Sequence, residues 1–177
     1  MHEQIWLTIV SEFSDIPDIN SITRVIVRLT MATILGAIIG YERERRFKSA
    51  GIRTHMLVCI GTAMFIIGPM QAGVPITDMS RILQGVVQGI GFLGAGAIVV
   101  GTLRQRTQGL TSAASIWATA AIGMAAGLGM EVTAIFATVF VIFILAVVPV
   151  LIPNIKPVEA IVDSKTENKK NKDLNLL

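Results

Sequence analysis

The stretch GIGFLGAG, residues 89–96, decides the fold, because its first six residues fit G-x-G-x-x-G. That pattern is the fingerprint of a dinucleotide-binding loop. There it must follow a strand, open a helix and be answered by an acid about 20 residues later. Here the residues twenty positions on are TSAAS, 111–115, and the next acid is Glu131. The glycines lie inside an apolar run long enough to cross a bilayer. The nucleotide reading fails, and close contact between membrane helices takes its place.

Composition agrees. The chain has 177 residues, 53% of them hydrophobic and 15% charged, with a mean hydropathy of +0.68. A soluble domain carries about 25% charged residues. From Leu29 to Ile152 apolar blocks alternate with short charged or glycine-bearing joints. A hydrocarbon core about 30 Å thick takes about 20 apolar helical residues. Five segments fit: Ile22–Tyr41, Thr54–Met70, Ile82–Gly101, Leu110–Leu128 and Val132–Ile152. Arg24 and Arg28 interrupt the first, and the second is expected to end at Gly68 and Pro69. The expected fold is an all-α polytopic bundle of five spans over residues 22–152. Residues 1–21 are expected to form an external or interfacial segment with Trp6 at the headgroup level, and 153–177 a disordered tail. No secretory signal is expected, since IWLTIV is short and Glu3, Glu12, Asp15 and Asp18 stand where basic residues would.

Basic residues in short loops set orientation. Arg43, Arg45, Arg46, Lys48 and Arg53 fall in the first joint. Arg104 and Arg106 fall in the 101–109 joint, and five lysines follow Pro153. Five spans put these twelve on one side and leave Arg24, Arg28 and Arg81 on the other. The expected topology has the N-terminus outside and the C-terminus in the cytoplasm of a bacterial inner membrane.

Helices in lipid associate through close packing and interhelical hydrogen bonds, so small residues line their contacts. Gly36 and Gly40, Gly85 and Gly89, and Gly123 and Gly127 are each spaced i, i+4. The third span adds Gly91, Gly94 and Gly96, so it is expected at the centre of the bundle. Glycine also weakens helices, and a break near Gly91–Gly96 is the competing reading. Cys59 is alone, so no disulfide forms within the chain. It is read as a small buried residue.

RLTMATILGAIIGYERERR, AGIRTHMLVCIGTAMF, DMSRILQGVVQGIGFLGAGAIV and GLTSAASIWATAAIGMAAGLG follow one another over roughly residues 24–130. In that order they resemble the membrane domain of the MgtC/SapB family. The resemblance implies a multi-pass bacterial inner-membrane protein, and some members of the family are linked to growth at low magnesium, survival inside host cells and restraint of ATP synthase. Some members are described as magnesium transporters. Others continue into an ACT-like C-terminal domain, and this chain is expected to lack it.

Two polar clusters are candidates. On the outer side stand Arg28, Asp78, Arg81, Gln84 and Gln88. Gln84 and Gln88 share a helix face with Arg81 and Gly85. One reading is a small polar vestibule. The other is structural, with Asp78 capping the third span, Arg28 reaching outward and the glutamines bonding neighbouring helices. On the cytoplasmic side stand Glu42, Arg43, Arg53, Thr54, His55, Arg106 and Thr107. Glu42–Arg46 and Glu44–Lys48 are spaced to pair. Arg53 and Thr54 open a helix, where an anion is favoured. That end is read either as a docking site for phosphate, acidic lipid or an acidic partner, or as positive-inside anchoring with a Glu42–Arg53 tie. The resemblance places Glu42, Arg53 and Thr54 in the family motif. Arg43 is read as an anchor, His55 as a hydrogen-bonded wall residue and Trp117 as a packing residue.

No catalytic triad, H-E-x-x-H or C-x-x-C occurs, so an enzyme is not expected, nor is a cofactor or a metal site. Expected partners are the bilayer, another membrane complex and a second copy in a homodimer, with no nucleic acid. The expected function is regulatory, acting through a complex such as ATP synthase. The alternative is a small transporter or channel for magnesium or another ion, and a purely structural assembly is the third class.

Overall fold

The computed structural model describes residues 2–12, 18–99 and 109–151, and the described residues hold helices and turns but no strand. The order is α1 (His2–Glu12), α2 (Ile19–Arg45), α3 (Ile52–Gln71), α4 (Met79–Val99), α5 (Leu110–Gly127) and α6 (Glu131–Ile142). A π-helical turn (Phe143–Val147) and α7 (Val148–Leu151) then continue α6. Taken with α6, these make one span, so five helices are long and apolar enough to cross a membrane. The five expected spans are present. The last-span residue Ile152, the joint 100–108 and the tail 153–177 lie outside the described residues.

Several boundaries shift by a few residues, and two show why. Asp18 starts α2 three residues early, because its Oδ1 accepts from the Ser21 amide at 2.6 Å. That cap satisfies one of the four free N–H groups of a helix start. At the other expected boundary, α3 runs through Pro69 to Gln71. The missing proline N–H removes one bond four residues back, and Ala72 N still reaches Gly68 O at 2.9 Å.

The bundle is organised around α5 and not, as the glycine count led one to expect, around α4. Of the α5 span 56% is buried, against 6% of α4. The reason lies in which glycines meet a neighbour. A Cβ on Gly123 would collide with Thr62 Oγ1 and the Cys59 carbonyl, and one on Gly127 would sit 2.7 Å from Ala63 O. A Cβ on Gly36 would sit 2.7 Å from His55 O, and one on Gly40 would sit 3.0 Å from Gly51 O. These four glycines let α2 and α5 lie directly on the backbone of α3. Gly94 makes an ordinary contact with Ala113, while Gly85, Gly89, Gly91 and Gly96 have no atom within 4 Å of the position a Cβ would take. Those four do not pack this chain, and α4 passes them as one unbroken helix.

The core fills the space between α2, α3, α5 and α6 with Leu35, Ile39, Cys59, Ala63, Ile122, Ala126 and Leu145. In lipid this packing is carried by dispersion and close fit, since lipid tails are as apolar as leucine. α6 and its continuation are 17% buried with a mean hydropathy of 3.0, while the buried α5 has 1.3. That is the expected relation, since the surface facing lipid must be apolar. The peripheral α4, at 1.2, breaks it.

Candidate functional site: a buried arginine–histidine–serine network

The buried stripe of α2 is Ala32, Leu35, Gly36, Ile39, Gly40 and Arg43. Its spacing of three and four continues without interruption from glycine and isoleucine onto Arg43. The arginine therefore points into the bundle, 2% exposed. This corrects its reading as a surface anchor. α3 opens the same way, with His55 first on the stripe His55, Cys59, Thr62, Ala63, Ile66 and Ile67. α5 presents Ser112, Ser115 and Thr119 from the other side, all buried. Three helices thus converge on one polar cluster at the end of the bundle that carries the basic α2–α3 joint.

The hydrogen bonds form a chain. Arg43 Nη2 donates to Ser112 Oγ at 3.1 Å. Ser115 Oγ lies 2.8 Å from Ser112 O and 3.1 Å from His55 Nε2. His55 Nδ1 lies 2.9 Å from Gly51 O. A carbonyl only accepts, so Nδ1 carries the proton there. In the neutral ring Nε2 then accepts. The Ser115 hydroxyl proton has two competing acceptors, the histidine and the Ser112 carbonyl. Thr119 Oγ1 closes the line by donating to Ser115 O at 2.8 Å. Arg43 Nε is buried without a hydrogen-bond partner. His55 is the hydrogen-bonded residue that was expected, and its bonds join α3 to α5.

The rest of this end is assigned differently from the sequence reading. Glu42 pairs with Arg46, as their spacing allows, and Arg46 Nη2 donates to Ala146 O at 2.9 Å. That acceptor lies in the π turn, whose widened ladder departs from the usual i to i−4 bonding. Arg46 therefore straps α2 to the last span. Glu44 does not pair with Lys48. Its Oε2 accepts from Ile52 N at 2.9 Å and caps α3. The Glu42–Arg53 tie is not formed, because Glu42 is engaged by Arg46 and Arg53 is exposed. Thr54 is half-buried beside it. Arg106 and Thr107 lie outside the described residues.

The outer cluster divides in two. Arg28 Nη1 donates to Gly127 O at 3.0 Å, closing the C-terminus of α5. Its guanidinium occupies the space a side chain on Gly129 would need. Arg28 neither reaches outward nor joins a vestibule. Asp78, Arg81, Gln84 and Gln88 are exposed on α4 or just before it. The glutamines bond no neighbouring helix among the described residues, and Asp78 offers its helix no side-chain cap there. Trp117, read as a packing residue, is 52% exposed. It walls an open apolar groove of about 370 Å³ between α4 and α5 with Gly91, Ala95, Ile98 and Ala114.

Sequence reasoning missed Ser112 and Ser115 as members of a network and Arg43 as a buried one. The helical spacing of Arg43 with Gly36 and Gly40 was the available signal. The serines carried none, since small polar residues suit a lipid-bundle helix in any case.

The sequence profile of the MgtC family matches residues 29–152. "Putative magnesium transporter YhiD" of Escherichia coli (strain K12) is 43% identical over 129 residues, which cover 69% of this chain and 59% of that protein. "Protein SrpB" of Synechococcus elongatus is 41% identical over 130 residues, 67% of this chain and 71% of the other. "Protein MgtC" of Salmonella typhimurium (strain 14028s) is 42% identical over 117 residues, 66% of this chain and 49% of that protein. The chain thus spans about half to seven-tenths of the length of these relatives. No solved structure matches it.

Proposed function

The chain belongs to the MgtC family, and on that premise we propose that it is a regulatory protein of the bacterial inner membrane. It acts in adaptation to low magnesium or stress by contact with another membrane complex, with its basic end in the cytoplasm. The observation that supports this reading is the placement of its polar groups. A path for Mg²⁺ wants several oxygen ligands and, at membrane depth, acids facing a cavity. Between Glu44 and Glu131 the only acid is Asp78, in the connection before α4. The buried side chains of Arg43, His55, Ser112, Ser115 and Thr119 form a network between helices, and the arginine at its head is cationic. Such a network holds three helices in one arrangement and repels a metal cation. ATP synthase, which the family resemblance supplies, is the complex we propose as the target.

The test has two arms. Purified protein in liposomes loaded with a Mg²⁺-sensitive dye should give no flux above protein-free vesicles, while the same gene restores growth at low magnesium in a strain lacking it. Saturable Mg²⁺ flux overturns the regulatory reading in favour of transport. In inverted membrane vesicles, ATP-driven proton pumping should fall when the protein is present. Unchanged pumping removes ATP synthase as the target.

A further inference from the structure

A peripheral membrane helix should show lipid an apolar face, and α4 does so only in part: Val87, Phe92 and Leu93 are exposed, but a polar and small-residue stripe is exposed beside them. Its core-facing side carries Met79, Ile82, Leu83, Val86, Ile90 and Gly94. Its outward side carries Arg81, Gln84, Gln88, Gly91 and Ala95, all exposed. These five are spaced three, four, three and four residues apart. That is the heptad seam of two helices wound together with left-handed twist. The half near Asp78 is polar and the other half is small. An amide exposed to hydrocarbon loses the hydrogen bonds that water gave it, so two glutamines one turn apart on an uncovered face call for a polar partner.

We propose that this seam is covered by α4 of a second copy of the chain, related by a two-fold axis along the membrane normal. Self-pairing fits the chemistry on the seam. In such a dimer the two helices run parallel, and Gln88 meets the Gln88 of the other copy at the same depth. A carboxamide donates and accepts, so the pair satisfies itself. Charge complementarity fixes the outer end. Asp78 and Arg81 are both exposed, and the only ion pair among the described residues is Glu42–Arg46. Asp78 stands about one turn before Arg81, at the level to meet the arginine of the other copy. Two reciprocal pairs then offset the two arginines that the symmetry brings together. At the other end Gly91 and Ala95 border the groove between α4 and α5, which leaves room for the second helix to approach. This inference is independent of the regulatory reading above, because it needs only the membrane and the seam.

Disulfide cross-linking of the full chain in native membranes tests it. Gln84→Cys and Gln88→Cys are each made beside two controls, Leu57→Cys on α3 and Phe136→Cys on α6, which are 70% and 61% exposed on other faces. The parent chain controls for Cys59, which is buried. With copper phenanthroline, Gln88→Cys should give a band of twice the monomer mass containing both of two co-expressed tags, and the controls should stay monomeric. Asp78→Arg and Arg81→Asp, each added to Gln88→Cys, should cut that band by more than half, and the two together should restore it. All these positions are exposed, and an unchanged circular dichroism melt of the purified variants confirms folding. Cross-linking at Leu57→Cys or Phe136→Cys equal to that at Gln88→Cys overturns the proposal. So does an adduct of Gln88→Cys to a protein of another mass, or a double charge swap that restores nothing.

Discussion

At residue 123 the absence of one carbon holds two helices together. Gly123→Ala would drive a methyl into the Cys59 carbonyl and Thr62 Oγ1, and backbone cannot step aside as a flexible side chain can. Overpacking of this kind costs about 1–3 kcal/mol, so the thermal melt in detergent should fall well below wild type. Gly89→Ala meets no atom of this chain within 4 Å. It replaces the poorer helix former by the better, a difference of about 1 kcal/mol, and the melt should stay level or rise. Equal losses at both positions would contradict the peripheral place of α4. Ser112→Ala makes a second test at this scale. It takes the acceptor from a guanidinium that is 2% exposed. A hydrogen bond to a charged group is worth about 1.5–3 kcal/mol, so the loss should be of that order. In a cycle with Arg43→Met, removing both partners should cost less than the sum of the single losses. Arg53→Ala, at an exposed position, should leave stability nearly unchanged while the growth assay reads whether it docks anything.

Among the elements, the end of α2 is where local conformation is most strained. Lys48 N reaches Arg43 O at 3.1 Å and Phe47 N reaches Glu44 O at 2.9 Å. These bonds close the helix with Phe47 at a φ of +54°. Glycine is the usual residue there. A side chain in left-handed geometry costs about 1–2 kcal/mol, yet Phe47 is 97% exposed and gains no packing inside the chain. Phe47→Gly should therefore raise the melting temperature in detergent, and a drop would show that the ring is held by a contact the isolated chain lacks. The start of α2 answers to pH. The Ser21 hydrogen bonds hold the Asp18 carboxyl below the usual aspartate value. A depressed folded pKa means the cap is fully present above the unfolded value and is lost as pH falls through the folded one. The Ser21 amide resonance should then titrate with a midpoint below that of a free aspartate.

For the whole molecule, alternation of five spans fixes which connections share a side. The α2–α3 joint with its basic residues and the α3–α4 connection with Asp78 lie at opposite ends. Reporter fusions at Met79 and Lys165 should land on opposite faces of the membrane, and the same face for both would refute five spans. Straps at both ends hold the bundle closed. Arg28 ties α2 to the end of α5, while Arg46 ties α2 to the π turn of the last span. Arginine suits both positions, since its planar fork reaches a backbone carbonyl while its apolar stem packs along the helix. α4 has no comparable strap among the described residues. It is the part of the bundle left for a second molecule to hold.

The sequence by itself determined the class of fold, the five spans and the family. Length and hydropathy at bilayer scale are properties of a segment taken alone, and a helix in lipid satisfies its own backbone. The i, i+4 glycines of α2 and α5 were legible as contacts for the same reason. Only the tertiary structure decided which glycines meet anything. Gly36 and Gly85 look alike as letters, and the difference between them is the backbone of α3, which no local pattern contains. The partners of the charged residues were decided there too. Glu42 had Arg46 and Arg53 within plausible reach, and Arg43 had water or Ser112. A salt bridge or a buried guanidinium depends on distances between segments that the chain order leaves open. The reversal at the centre, where α5 displaced the glycine-rich α4, has the same origin. Small residues permit close approach, but the surface they approach is set by how the helices come together.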